Sequence, residues 1–313
     1  MLRSKDLLGL RNTGADEIRE ILDTAKIMKQ VIVSNNKKTP HLQGKSVITV
    51  FYENSTRTRL SFELACKYLS GTASGMTASA SSVAKGETLI DTARTLDVMG
   101  TDVMILRHPM TGAPHLMARH VRASVINAGD GTNEHPTQAL LDMFSMEERF
   151  GSLEGLRVAI VGDVTHSRVA RSDLWGMRKM GMEVHLAGPK TLLPRFLKEE
   201  PGIFVHECIE DAIRDADVIN VLRIQLERQK AGLFPSMREY ARIFGLNEER
   251  LKLAKEDVLV LHPGPMNKGL EISPRVAYSS HSAIQEQVQN GVAVRMALLA
   301  LALMGGKQNE ADL

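Results

Sequence analysis

The chain reads as an α/β protein of two domains, each a parallel sheet flanked by helices. Short β-rich segments alternate with longer helical patterns along its whole length, as βαβ units do. Its 313 residues exceed the usual size of one compact domain. Polar clusters also follow the strand segments, where parallel sheets collect their ligands.

The first clear strand is residues 47–51, an apolar, β-branched run. It leads through Glu53 into Ser55-Thr56-Arg57-Thr58-Arg59 and a helical pattern over 59–69. A second helical pattern, 88–99, precedes a strand at 102–106, which is followed by Arg107-His108-Pro109. The strand at 124–127 leads to Asn133-Glu134-His135-Pro136-Thr137-Gln138 and a helix over 137–150. In the second half, strands are predicted at 157–161, 183–186, 203–206, 218–222 and 258–262, with helices at 168–180 and 248–255. The expected first domain is 1–136 plus a C-terminal helix over 283–305, and the second is 150–282. The helix 137–149 is expected to connect them.

The segment Ser55 to Arg59 has the chemistry of a phosphate cradle. A strand that turns into a helix leaves the first helical N–H groups without intrahelical acceptors, and the helix dipole favours an anion there. Ser55, Thr56 and Thr58 add hydroxyls, and Arg57 adds a planar fork suited to phosphate. Ser and Thr are also ordinary N-caps, but two Arg residues and three hydroxyls in five positions exceed what a cap requires.

Taken alone, the other clusters leave alternatives open. Arg107 fits an anion crevice and equally a surface Arg beside a turn proline. His135, pushed out of helical conformation by Pro136, can donate to an oxyanion, and Gln138 can accept from an NH2 group; a capping His with a solvated Gln fits as well. Residues 79–88 are small and polar, which describes a surface loop, with Lys85 as their one chemically pointed side chain. Gly162 to Arg168 stands where a dinucleotide fingerprint would, but the G-x-G-x-x-G spacing is missing and Arg168 suits a carboxylate. Arg223 and Gln225 would share a face if their strand continues, and could then grip a second carboxylate. The Pro263-Gly264-Pro265 turn exposes carbonyl acceptors.

Bulk properties exclude several classes. A balance of 39 basic and 37 acidic residues gives no global field for nucleic acid or an anionic membrane. The longest apolar run, 296–304, falls well short of the ~20 residues that cross a bilayer, and Arg295 precedes it. The first residues lack the apolar core of a secretory signal, and the two cysteines lack a CxxC pattern, so a reduced, cytoplasmic protein is expected. No P-loop, H-E-x-x-H or G-x-S-x-G pattern occurs. No metal or cofactor is expected.

Taken in order, the stretch from Phe51 through Ser55-Thr56-Arg57-Thr58-Arg59 to Glu63, then Lys85-Gly86-Glu87-Thr88, Arg107-His108-Pro109, His135-Pro136-Thr137-Gln138 and His262-Pro263-Gly264-Pro265 resembles the aspartate/ornithine carbamoyltransferase family. The ornithine branch carries a His-Cys-Leu-Pro motif where this chain has Leu261-His262-Pro263-Gly264-Pro265, so the likeness is to the aspartate branch. The resemblance implies that carbamoyl phosphate binds through Ser55, Thr56, Arg57, Thr58 and Arg107, with Gln138, Pro263, Gly264 and Pro265 around its NH2. It implies that Arg168 takes the α-carboxylate of L-aspartate and Arg223 and Gln225 its side-chain carboxylate. It implies further that Lys85 bridges toward both substrates and that Thr58, Arg107 and His135 stabilise the tetrahedral oxyanion. Ser81 and Lys85 reach a neighbouring copy's site in the family, which implies a homotrimer with shared sites. Likeness to the aspartate branch further implies a role in pyrimidine biosynthesis, with dihydroorotase or a regulatory chain as a further partner. The competing readings are a carbamoyltransferase for another amino acid such as ornithine, a nicotinamide-dependent oxidoreductase, and a non-catalytic homologue that scaffolds dihydroorotase.

Overall fold

The computed structural model describes residues 3–77, 86–224 and 236–305. They fall into two compact units, one formed up to residue 141 and again from 289, the other from 142 to 288.

The first unit opens with α1 (Ala15–Val33), whose Ile18, Ile21, Leu22, Ala25 and Met28 form one buried stripe at helical spacing. Each of the larger side chains contributes roughly 1.5–3 kcal/mol by leaving water. The sheet holds β1 (Ser46–Phe51), β2 (Thr72–Thr77), β3 (Val103–His108) and β4 (Ser124–Asp130) in the order β2-β1-β3-β4, all parallel. Between them run α2 (Thr56–Tyr68), α3 (Leu89–Val98) and α4 (Ala113–Ala118). Val50, Met104, Leu106 and Val125 form the floor on which Ala93, Ala113 and Met117 pack.

The second unit has a five-stranded parallel sheet in the order β7-β6-β5-β8-β9. Its strands are β5 (Arg157–Val161), β6 (Glu183–Ala187), β7 (Ile203–His206), β8 (Val218–Val221) and β9 (Leu259–Leu261). Helix α5 (Pro136–Phe150) leads in, and the division between units falls within it. Then follow α6 (Arg168–Lys179), α7 (Ile209–Ile213), α8 (Met237–Phe244), α9 (Glu248–Leu251) and α10 (Pro274–Ala277).

The last helix, α11 (Glu286–Gly305), is long and apolar enough to cross a membrane, but 78% of its most apolar window is buried inside the protein, as a core helix should be. The sequence places residues 283–305 wholly with the first unit and a connector at 137–149; the compact units instead divide at 141/142 and 288/289. Hydrogen bonds explain the later division. Ala283 N–H donates to the Val260 carbonyl, and the Gln287 side chain accepts from His262 N–H and donates to Asp142 at 2.6 Å, all within the second unit.

Candidate active site

Each sheet reverses its strand order once, and each reversal is where the predicted polar residues gather. In the first unit the reversal lies between β1 and β3, and open parallel sheets bind ligands outside the carboxyl ends of strands at such a point. Beyond β1 stands Ser55, the N-cap of α2, in extended conformation with φ −159° and ψ 90°. Its side chain makes no capping hydrogen bond, and the first turn of α2 carries no acidic residue. A helix start that is neither capped by a hydroxyl nor neutralised by a carboxylate keeps its donors and its positive end for an anion. Thr56 and Arg57 are exposed there, whereas Thr58 is buried. Arg59 turns away to pair with Glu63 one turn on, at 3.6 Å, which separates it from the anion site.

Arg107 lies within β3, opposite Phe51, and not after the strand as the sequence suggested. The strand runs on because His108 pairs with Asp130 after a shift in register. The Arg107 guanidinium meets the Glu53 carboxylate at 3.3 Å and the Ala128 carbonyl at 3.4 Å, so its fork is held from two sides. His108 behind it accepts from Met110 N–H, and burial lowers its pKa.

The turn after β4 is built by Asp130, a fully buried carboxylate that accepts from Asn127 Nδ2, Gly112 N–H, Asn133 Nδ2 and Glu134 N–H. Glu134 faces the other way and holds Leu10 and Arg11 N–H. With its neighbours fixed, His135 is buried at the start of α5, its carbonyl accepting from Gln138 N–H at 2.9 Å and its Nδ1 lying 3.5 Å from the Thr137 hydroxyl. The structure thus brings Ser55, Thr56, Arg57, Thr58, Arg107, His135 and Gln138 to the carboxyl end of one sheet.

In the second unit the reversal lies between β5 and β8. The chain leaves β5 through Gly162, at φ +132°, and a Cβ on Gly188 would overlap the Gly162 carbonyl, so this turn needs two glycines. Asp163 then accepts from His166 N–H and faces its ring at 3.0 Å, which shapes the loop into α6. Ser167 caps that helix by accepting from Ala170 N–H, and Arg168 is its first residue, buried at 3% exposure. Strand β8 ends at Val221, so Arg223 belongs to the loop beyond it and not to a continued strand face. It is half-buried. Pro263, Gly264 and Pro265 follow β9, with a cis Gly264-Pro265 bond and Gly264 at φ +59°.

A buried network ties these two loops. His262 Nδ1 accepts from Gly264 N–H at 2.8 Å, so its proton sits on Nε2 and faces Glu271 at 3.1 Å. Glu271 also accepts from the backbone and side-chain N–H groups of Asn267, and that amide reaches the Ile224 carbonyl at 3.0 Å. One carboxylate thereby links the turn at 263–265 to the residue after Arg223. Ser81, Lys85 and Gln225 lie outside the described residues. Among the described residues no cluster of His, Cys, Asp and Glu could hold a metal ion.

The amino-terminal part of the chain, residues 5–148, matches the model of the aspartate/ornithine carbamoyltransferase carbamoyl-P binding domain, and residues 154–302 match that of the Asp/Orn binding domain. The chain belongs to the aspartate/ornithine carbamoyltransferase family. The two matched domains follow the two units up to residue 288, and the second match runs on through residues 289–302, which pack with the first unit. The aspartate carbamoyltransferase catalytic subunit of Acetivibrio thermocellus is 65% identical over 301 residues, 96% of each chain. Aspartate transcarbamoylase from Trypanosoma cruzi, solved with carbamoyl aspartate and phosphate, aligns with a TM-score of 0.87 at 30% identity over 96% of each chain. Ornithine carbamoyltransferase from Pyrococcus furiosus aligns with a TM-score of 0.86 at 32% identity, covering 96% of this chain and 97% of its own. Backbone likeness therefore does not separate the amino-acid substrates within the family.

Three residues that hold the Arg107 fork and these loops carry no predicted role: Glu53, Asn267 and Glu271.

Proposed function

We propose that this chain transfers the carbamoyl group of carbamoyl phosphate to the α-amine of L-aspartate, giving N-carbamoyl-L-aspartate and phosphate for pyrimidine biosynthesis. The observation that carries the reading is the uncapped, acid-free start of α2 beside the held fork of Arg107, together with a buried Arg168 and a half-buried Arg223 in the other unit. The first pair has the chemistry for a phosphate dianion and the second for a dicarboxylate. The relatives that share most of the sequence are named for aspartate. The oxidoreductase alternative lacks its glycine fingerprint, and a scaffold has no use for these cations.

In this reading Ser55, Thr56 and Arg57 bind the phosphate, and Gln138 with the Pro263 and Gly264 carbonyls orients the NH2, beside Pro265. Arg168 fixes the α-carboxylate of aspartate, and Arg223 with Gln225 its side-chain carboxylate. The neutral α-amine then attacks the carbonyl carbon, and Thr58, Arg107 and His135 stabilise the oxygen as it becomes an oxyanion. The C–O bond to phosphate breaks, phosphate departs with the bonding pair, and the amine proton passes to it. Holding two charged substrates in line can supply ~7–11 kcal/mol of the barrier. Ser81 and Lys85 are assigned to a neighbouring copy's site, which makes the working unit a homotrimer in the cytoplasm, with dihydroorotase or a regulatory chain as further partners.

The test is steady-state kinetics of Arg223→Gln and Arg57→Ala. Losing a charged hydrogen bond of about 1.5–3 kcal/mol at Arg223 raises KM for aspartate roughly 10–150-fold and leaves carbamoyl phosphate binding unchanged. Arg57→Ala strikes carbamoyl phosphate instead. Equal effects of both variants on both substrates would overturn the division of roles.

A further inference from the structure

Helix α11 sends one guanidinium through the core to the two helices whose starts carry the site of the first unit. Arg295 is buried, 4% exposed, and its Nη1 donates to the Ser61 hydroxyl at 2.9 Å, one turn beyond Arg57 on α2. Its Nη2 lies 3.5 Å from the Thr137 hydroxyl, two residues beyond His135 on α5. The guanidinium stands 5.1 Å from the centre of the buried Phe62 ring, a cation–π contact that holds its plane. Gly291, one turn earlier, leaves room for this, since a Cβ there would overlap Nη1.

We propose that Arg295 and Thr137 are positioning residues that set the tautomer of His135, so that Nε2–H is the group it offers to the carbonyl oxygen. An Arg guanidinium donates and never accepts. Thr137 Oγ1 must therefore accept from Arg295, and its one proton points along its other contact, to His135 Nδ1 at 3.5 Å. Thr137 is fully buried, so water does not compete for that hydroxyl. With Nδ1 accepting, the imidazole proton resides on Nε2. The proposal rests on the reading of His135 as donor to the carbamoyl oxygen.

The experiment uses the full-length enzyme with 15N-labelled histidine, the His135 ring signals being assigned through His135→Gln. The ligand-free wild type should show the Nε2–H tautomer at His135. Thr137→Val keeps the shape and removes the hydroxyl. It should shift His135 toward Nδ1–H and lower kcat roughly 5–10-fold, as loss of one hydrogen bond does, with KM for carbamoyl phosphate within about twofold. Thr137→Ser should restore both. Gly291→Ala, which displaces the fork while keeping its charge, should move the tautomer in the same direction as Thr137→Val. A Thr137→Val enzyme whose His135 keeps Nε2–H overturns the relay whatever its rate. A switched tautomer with undiminished kcat upholds the relay and sinks the assignment of His135 as carbonyl donor.

Discussion

Replacing Glu271 by Gln should cost both stability and turnover, and the hydrogen bonds give the size. Glu271 is fully buried; Oε1 accepts from His262 Nε2 at 3.1 Å and Asn267 N–H at 2.6 Å, and Oε2 accepts from Asn267 Nδ2 at 3.2 Å. A Gln can keep its oxygen at the first position, where two bonds lose their charge and about half their strength. Its NH2 then faces the Asn267 NH2, donor against donor. Flipping the Asn267 amide relieves that clash only by turning its oxygen toward the Ile224 carbonyl, which it now satisfies at 3.0 Å. One buried bond is lost and two are weakened, for a total of about 2–4 kcal/mol. At ~2–4 °C per kcal/mol for a domain of this size, the melting midpoint should fall by roughly 5–15 °C. Because the same carboxylate sets the turn at 263–265 and the residue after Arg223, kcat should fall and KM for aspartate rise at temperatures where the variant is folded. The assay is calorimetry paired with colorimetric detection of carbamoyl-aspartate. A midpoint within 2 °C of wild type, with unchanged kinetics, would refute this coupling.

Two further outcomes follow from the structure, and a third from the proposed shared site. Asp173 is fully buried near Asp142, and burial first, then that second carboxylate, raises its pKa well above the usual range. The unfolded chain gives up this proton at the ordinary value while the folded protein keeps it, so stability falls as pH rises through the window between the two values. Asp173→Asn, which can still accept from Asn220 Nδ2, should raise the melting midpoint more at pH ~8 than at pH ~5; a lower midpoint at both would contradict it. His185 shows the opposite slope: burial, then the Arg157 guanidinium and His206, push its pKa down to about 4, while the unfolded chain takes up the proton near 6.5. Stability is therefore lost as pH falls from 6.5 to 4, by up to about 3 kcal/mol at ~1.36 kcal/mol per unit. His185→Phe, which keeps the stack on Phe204 at 4.7 Å, should flatten that acid limb, and an unchanged limb would show that other groups produce it. Finally, mixing inactive Arg57→Ala and Lys85→Ala chains under reassembly should regenerate activity, and a mixture that stays dead would exclude sites shared between copies.

The sequence pattern foretold strands wherever they are buried on both faces, because a parallel core strand such as Arg157–Val161 reads as one apolar run. It failed at β2, whose Thr-Ala-Ser-Gly-Met-Thr carries almost no apolar signal because this edge strand is largely exposed. Helix α1 went unread although Ile18, Ile21, Leu22, Ala25 and Met28 recur at helical spacing, because no strand precedes it to mark a strand–helix unit. Polar residues near strand ends were legible as a group because motif and topology coincide there. Glu271, Asn267 and Arg295 could not, since their partners His262, Ile224, Ser61 and Thr137 are brought to them only by folding. The Arg223 loop shows a subtler limit: side-chain periodicity holds only while a strand lasts, and β8 stops at Val221.

The central claim, carbamoyl transfer to aspartate, is tested most directly by product analysis of one reaction containing 13C-labelled carbamoyl phosphate and equal concentrations of L-aspartate and L-ornithine. The two arginines of the second unit and the absence of the ornithine branch's cysteine motif predict that the label appears in N-carbamoyl-aspartate with release of one phosphate per turnover, and that Arg57→Ala suppresses it. Label accumulating in citrulline, or in neither product while the protein is folded, would contradict the account.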